Sequence, residues 1–392
     1  MLNVLYLVHD LADPATRRRV AMLRAGGAEI ALAGFRRTEQ PIHEIDGIRP
    51  IDLGATADGK FAQRFVAVAR AAMGLGDAFR SLGRPDVIIA RNLEMLALAR
   101  RANAFFGVDI PIVYECLDIH RLLLRKDVIG AGMRAAERRL GSAASLLITS
   151  SPAFLREYFV PNGQATAPSL LLQNKVLELD DDRQSAIAPA PAPAPGQPWK
   201  IGWFGALRCR RSLELLSTFT RRMEGRFEVV LRGRPARSEF KDFDATVADE
   251  PFIRFEGPYR NPDDLAAIYG EVHFTWAIDF FEEGLNSNWL LPNRLYEGCR
   301  HSVVPIAMRQ TETGRFLLER GIGLLLEEAT AEAVEALLSD IDAETYAAEQ
   351  RRVTSKPSET WICDRDDCRA LIARLAGLAR PTVTARTVES MA

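Results

Sequence analysis

Residues 289–305 read WLLPNRLYEGCRHSVVP, running from Trp289 to Pro305. Pro292 suits the first turn of a helix, where its missing N–H costs nothing, and Val303-Val304 before Pro305 reads as a short buried strand. On that helix Leu295 and Cys299 share a face. Glu297 lies about 200° round from Leu295, at roughly 100° per residue, on the same side as Asn293. The acid is therefore expected to point away from the apolar face. Spacing alone leaves two readings open: an acid paired with Arg294, or a carboxylate aimed at a ligand above the helix.

A helix leading into a buried strand is half of an α/β repeat, and the chain shows that repeat throughout. Asn3 to Val8 is an apolar run of strand length, followed by a polar loop and a helical pattern from Thr16, the opening of a βαβ unit. Ala28 to Ala33, Asp86 to Ala90, Pro111 to Tyr114, Ser145 to Ser150 and Ser169 to Gln173 read as further strands, with helical stretches at 61–82 and 121–140. The composition then changes. Ser185 to Pro198 is Pro/Ala-rich and reads as an extended spacer. Beyond it Lys200 to Phe204, Phe227 to Arg232, Ile253 to Phe255, Phe274 to Ala277 and Val303 to Ile306 repeat the pattern, and 366–378 is helical. The expected fold is α/β, with two facing Rossmann-like domains built on parallel sheets. Their bounds are 1–184 and 199–360, joined by the spacer 185–198 and followed by a C-terminal helix and tail over 361–392.

The totals agree with that division, because 392 residues suffice for two cores of ordinary size. Fifty Lys+Arg against 52 Asp+Glu argue against a dedicated nucleic-acid binder. Residues 1–150 carry 21 basic and 16 acidic side chains, a mild excess that suits an anionic substrate or a lipid surface. The five cysteines are scattered without zinc-site spacing, which points to a reducing cytoplasm. The opening MLNVLYLVHD lacks a signal-peptide pattern, and no apolar run approaches the roughly 18 residues that a membrane span needs. No GxGxxG follows the first strand, which disfavours a dinucleotide oxidoreductase.

In open parallel sheets, ligands sit beyond the carboxyl ends of the strands. Glu115, Asp118 and His120 follow the strand at Pro111 to Tyr114 and are candidates for a general base, Asp118 first and His120 second, with His9 or Asp10 third. Gly202-x-x-Gly205-x-x-Arg208-x-Arg210-Arg211-Ser212, between a strand and a helix, is a candidate phosphate-binding turn. Asp364-Arg365-Asp366 spells DxD but opens a helix, where Asp is a favoured cap, so no metal site is expected there. Over 121–140, Ile129, Met133, Ala136 and Leu140 mark one face of a basic amphipathic helix, which either rests on an anionic membrane or is an ordinary solvated helix with snorkelling arginines.

The strings PNRLYEG (292–298), GWFGALRCRRS (202–212), FEGP (255–258) with DDLAAIY (263–269), and ERGIG (319–323) resemble GT-B glycosyltransferases. The likeness is to glycosyltransferase family 4 and its succinoglycan-type exopolysaccharide relatives. It spans most of 200–340 and is looser over 1–180, where it rests on RAGGAEI (24–30) and strand order. The resemblance implies that Glu297 accepts hydrogen bonds from the donor ribose, with Asn293 on the same side of its helix. It places Gly205, Arg208 and Arg211 at the donor pyrophosphate, while the loop from Asp279 to Asn288 reads either as a plain polar turn or as one that sets Asn286 and Asn288, with backbone amides, over the donor sugar and phosphate. Many family members carry a second Glu eight residues before the first, which here is Trp289.

What it implies overall is a metal-independent hexosyltransferase that uses a UDP- or GDP-linked sugar as substrate and no further cofactor. The acceptor would be a saccharide or lipid-linked oligosaccharide in bacterial exopolysaccharide synthesis, at the cytoplasmic face of the inner membrane. Two other classes fit the same architecture: a nucleotide-sugar epimerase, which needs no acceptor pocket, and a non-catalytic saccharide-binding protein.

Overall fold

Apart from two strands that follow one another directly, Ala28–Arg36 and Ile51–Ala55, the first half alternates strands and helices, because its central strands are apolar runs that need a helix on either face. A computed structural model describes residues 1–38, 40–56, 61–164, 167–179 and 189–379. In its first domain β1 (Leu2–Val8), β2 (Ala28–Arg36), β3 (Ile51–Ala55), β4 (Val87–Arg91), β5 (Ile112–Cys116), β6 (Ala144–Thr149) and β7 (Ser169–Leu171) form one sheet in the order β3-β2-β1-β4-β5-β6-β7. All its pairs are parallel. Helices α1 (Pro14–Ala25), α2 (Phe61–Ala78), α3 (Leu93–Phe106) and α4 (Val128–Gly141) make the crossovers.

Two differences from the sequence reading have clear causes. The edge strand β3 alternates between exposed and half-buried residues, so it lacks the continuous apolar run that marks its neighbours. Helix α4 starts at Val128 rather than Arg121, because the Asp127 carboxylate caps it by accepting from the Gly130 N–H at 3.0 Å. Its inward face is only partly the expected one, for Met133 and Leu140 do pack against the core. Ala136 faces solvent and Ile129 is half exposed, while Glu137 is buried and accepts from the hydroxyls of Tyr114 (2.7 Å) and Tyr158 and from Gln164 Nε2 (2.9 Å). A buried carboxylate that is fully hydrogen-bonded can face a core, and apolar periodicity cannot reveal it.

After β8 (Val176–Leu177) and the spacer, the second domain repeats the plan. β9 (Trp199–Leu207), β10 (Phe227–Pro235), β11 (Ile253–Phe255), β12 (Phe274–Trp276), β13 (Val304–Met308) and β14 (Leu324–Leu326) are parallel in the order β11-β10-β9-β12-β13-β14. They are connected by α5 (Arg210–Arg222), α6 (Phe243–Ala248), α7 (Leu265–Tyr269), α8 (Asn286–Trp289), α9 (Asn293–Arg300) and α10 (Glu312–Arg320), with α11 (Ala331–Leu338) and α12 (Ala343–Thr354) beyond. Residues 185–188 of the expected spacer and 380–392 of the expected tail lie outside the described residues. Over 189–198 the spacer is anchored to the second domain. The Ala190 carbonyl accepts from Tyr346 Oη (3.1 Å) and Gln350 Nε2 (3.0 Å), and His273 Nε2 lies 3.1 Å from the Pro191 carbonyl.

The chain then crosses back. β15 (Ile362–Cys363) pairs with β8, and α13 (Arg365–Ala379) packs on α1 of the first domain. Cys368, Leu371, Ile372 and Leu375 join the core that holds Val20 and Leu23. The two helices approach so closely that a Cβ on Gly26 would stand 2.3 Å from the Cys368 carbonyl oxygen. Asp364 of the DxD string caps α13, its Oδ1 accepting from the N–H groups of Asp366 and Asp367, both at 2.9 Å.

Strand order reverses between β1 and β4 in one sheet and between β9 and β12 in the other, and ligands of such sheets lie at those reversals. Contacts between the domains place the two carboxyl edges opposite each other. The Asn286 side chain bonds to the Ile119 backbone, and Arg156 pairs with Glu312 at 2.7 Å.

Candidate active site

On the second domain the wall of the cleft begins at Gly205. Rather than opening a loop, Gly205 (φ +107°) continues β9 as far as Leu207, paired with Gly233. The strands meet so tightly that a Cβ on Gly233 would stand 1.9 Å from the Gly205 carbonyl oxygen, so glycine is required there. Arg208 follows, ion-paired with Asp279 at 3.1 Å and with its guanidinium 4.7 Å above the Phe281 ring. Arg211 pairs with Glu283 and lies 4.6 Å above Phe280. Arg210 turns away to the Glu239 carbonyl at 2.7 Å. The segment 279–283 therefore orients both arginines named in the sequence reading.

Helix α9 departs from the amphipathic picture, for every residue from Arg294 to Cys299 is buried. The helix lies directly under β12, where a Cβ on Gly298 would come 2.7 Å from Thr275. Glu297, 4% exposed, accepts from Asn261 Nδ2 at 2.7 Å and from the Tyr269 hydroxyl at 3.0 Å. Burial raises its pKa above the usual carboxylate range, opposed by these two bonds and by the charge of Arg18. Arg294 is not its partner but donates to the Ile278 carbonyl at 2.8 Å, which corrects the salt-bridge reading. Asn293 is exposed at the start of the helix. Tyr259 links Glu297 to Gly205: its hydroxyl stands 3.9 Å from a Cβ built on Gly205, and burial together with the Glu297 charge holds its proton more tightly. The acid and the arginine-bearing turn thus share one wall.

The first domain supplies the facing wall. Of the three arginines that open α1, Arg17 pairs outward with Asp46 at 2.7 Å and Arg19 is buried against Glu115 at 2.6 Å. Arg18 reaches the Lys175 carbonyl, near enough for its charge to act on Glu297, and burial lowers its pKa to about 10. Glu115 is fully buried and accepts from Arg19 and from Tyr6 Oη, both at 2.6 Å. Its place as a candidate base is therefore corrected: it lies within the domain, holding α1 and β1 to β5. Asp118, two residues past the end of β5, has a solvent-exposed side chain, but both domains crowd its carboxyl. That desolvation raises its pKa to about 7, the Glu282 carboxylate adding to the rise and Arg208 opposing it.

His120 Nδ1 accepts from the Leu122 N–H at 3.2 Å, which ties it into the turn after β5. His9 Nδ1 lies 3.2 Å from Asn92 Nδ2, and burial followed by the Arg91 charge lowers its pKa to about 4, so the ring is neutral at pH 7. Asp10 accepts from the Ala12 N–H at 2.9 Å and pairs with Arg37 at 3.3 Å. Asn92 was visible in the sequence only as a polar residue closing a strand. It takes φ +70°, a conformation rare for a side-chain-bearing residue, and its Oδ1 is buried without a hydrogen-bond partner.

Between the walls lies the segment leading into α9. Asn286, 2% exposed, accepts from the Ile119 N–H at 3.2 Å and donates to the Ile119 carbonyl at 2.5 Å. The amide expected over the donor is thus engaged by the first domain. Asn288 Oδ1 accepts from the Gly284 N–H at 3.0 Å. Trp289 and Leu290 pack on the first domain's core, and Ser151 Oγ donates to the Trp289 carbonyl. Where the resemblance calls for a second Glu, this chain has an aromatic clasp between domains. Among the described residues, no three His, Cys, Asp or Glu side chains are placed to hold a metal ion.

The fold has known counterparts. The chain is 62% identical over 380 residues to the succinoglycan biosynthesis protein ExoL of Rhizobium meliloti (strain 1021), covering 96% of this chain and 94% of that protein. No family model matches it. Among solved structures, sucrose-phosphate synthase from Thermosynechococcus elongatus superposes with a TM-score of 0.68 at 12% identity, covering 96% of this chain and 98% of that one. Anabaena HepE in complex with UDP and glucose gives 0.67 at 15% identity, covering 96% and 100%. The lipopolysaccharide outer core galactosyltransferase WaaB, in its apo form, gives 0.57 at 15% identity, covering 95% of each. The shared fold is GT-B, as the sequence reading expected.

Proposed function

The chain belongs to the family of the succinoglycan biosynthesis protein ExoL, and from that membership and the GT-B fold we propose that it is a glycosyltransferase of exopolysaccharide synthesis. It moves a hexose from a UDP- or GDP-linked donor to a saccharide acceptor. The observation that carries this reading is the shared wall of Glu297, Tyr259, Gly205 and Arg208, facing Asp118 across the cleft. The donor ribose lies against Glu297, and its diphosphate lies against Arg208 and Arg211. Their guanidiniums neutralise the departing charge, so the scheme uses no metal and no cofactor. Asp118 takes the proton of the acceptor hydroxyl while that oxygen bonds to the anomeric carbon, and the bond from that carbon to the diphosphate breaks. Neither an epimerase nor a non-catalytic role has support from the relatives.

A thermal-shift screen of UDP, GDP, ADP and TDP sugars tests the donor assignment. One nucleotide sugar is expected to raise the melting temperature, since a ligand at a hundredfold over its Kd adds about 2.7 kcal/mol. No shift with any of the four at millimolar concentration would sink the donor site.

We further propose that the acceptor is lipid-linked and that α4 touches the cytoplasmic face of the membrane. No described helix is long and apolar enough to cross a bilayer. Val128 and Ile129, 85% and 50% exposed, stand beside the exposed Arg125 and Lys126, an apolar tip in a basic collar. The chain is expected to sediment with vesicles rich in anionic lipid and less with neutral ones, and Val128→Asp should reduce that binding severalfold. Equal binding to both vesicle types, or none, retires the contact.

A further inference from the structure

Beside the donor wall, sharing with its assigned residues only Asn288, a second cavity of about 410 Å³ opens between the domains. That volume falls in the range of small-molecule sites, roughly 300–1,000 Å³. Arg156 and Glu157 line it from the first domain, and Trp289, Gln310 and Leu318 from the second. We infer that it is a saccharide subsite, holding the sugar of the acceptor next to the reacting one. The inference rests on the transferase reading of the same cleft and adds to it a location and a ligand chemistry.

Three observations support it. The first is charge. Arg156 pairs with both Glu157 and Glu312 at 2.7 Å, Arg315 lies 3.8 Å from Glu312, and Arg309 pairs with Glu327. The arginines and carboxylates hold one another in place, so the lining offers fixed donors beside acceptors, a mixed set that suits hydroxyl groups.

The second is composition. An indole and an exposed leucine give apolar surface for the C–H face of a pyranose ring, and two side-chain amides and paired charges give forked donors and acceptors for its hydroxyls. The third is position. Asn288, Gln310 and Thr311 also line the small cavity that abuts Asp279, the partner of Arg208. A sugar held here therefore lies one step from the donor diphosphate. Trp289, at the place of the second family acid, is then a specificity residue that both lines this subsite and packs on the first domain.

Saturation-transfer NMR on the intact chain tests this, with cellobiose, laminaribiose and lactose as probes. Glucose and galactose units are chosen because the structural relatives' own names carry them. At least one probe should show saturable transfer, weakened at least tenfold by Gln310→Trp, which fills the cavity, and by Trp289→Ala. Affinity for the nucleoside diphosphate that stabilises the wild type should change less than twofold in Gln310→Trp. The latter does not remove core packing, so it decides the matter if Trp289→Ala fails to fold. No transfer from any probe, or undiminished transfer in Gln310→Trp, overturns the subsite. A tenfold loss of nucleotide affinity in Gln310→Trp gives the cavity to the donor and overturns it equally. Sugar transfer is assayed separately: saccharide binding without transfer leaves the subsite standing and retires the transferase reading.

Discussion

Glu297→Ala is expected to weaken nucleotide-diphosphate binding by a hundredfold or more, with Glu297→Gln falling between the variant and wild type. The magnitude follows from chemistry: two ribose hydroxyls donating to one carboxylate make charge-assisted bonds of about 1.5–3 kcal/mol each. The carboxylate now accepts from Asn261 and Tyr269, so donor entry must share or exchange those bonds. Alanine also strands both donors, and a buried donor without an acceptor costs about 1–3 kcal/mol of stability. Binding is therefore read by calorimetry well below the variant's melting temperature, so that affinity and folding are measured apart.

The pH dependence has a definite sign. Burial raises the Glu297 pKa, so acidification protonates it sooner than an ordinary carboxyl and removes a charged acceptor. Nucleotide affinity should fall as pH drops through that raised value, and the fall should vanish in Glu297→Gln. Equal affinity in wild type and Glu297→Ala would remove the ribose role.

What the amino-acid string revealed and what it concealed divide along a physical line. Both sheets were legible because strands of a covered parallel sheet are continuous apolar runs, as VIIAR at β4 and IVYEC at β5 are. Two edge strands of those sheets were missed: β3, which lacks that run, and β14, an apolar run only three residues long. Gly205, read as opening a loop, lies within β9, whereas Arg208, Asp118 and Glu297 were legible as candidates because they follow strand ends or a helix start. Their partners were not. Asn261 and Tyr269 lie 36 and 28 residues from Glu297, and Ile119 lies 167 residues from Asn286. The first two depend on how α7 and the turn before it pack on α9, and the third on how the domains meet, and no local pattern encodes either. Glu115 misled for a related reason. The strand-end rule marks where a carboxylate is, whereas its role was decided by Arg19 and Tyr6, which bury it.

The acceptor side yields the other large effect. Asp118→Asn is expected to lower the rate of sugar transfer by about 10²–10⁴, the range for loss of a general base, with nucleotide affinity nearly unchanged. Asparagine keeps the shape and cannot take the proton, so the loss appears in kcat rather than in donor KM. The wild-type pH profile should carry an acid limb near pH 7. Asp118 titrates at about 7, only its ionised form accepts a proton, and activity must therefore rise as pH climbs through that value. Removing a like charge beside it gives an independent check. The Glu282 carboxylate helps to raise the Asp118 pKa, second to burial, so Glu282→Gln should move the acid limb to lower pH. The movement is partial, since desolvation remains. Asp118→Asn with wild-type kcat, or an acid limb that stays in place in Glu282→Gln, would take the proton-transfer role from Asp118 and leave the donor phosphate as the acceptor of that proton.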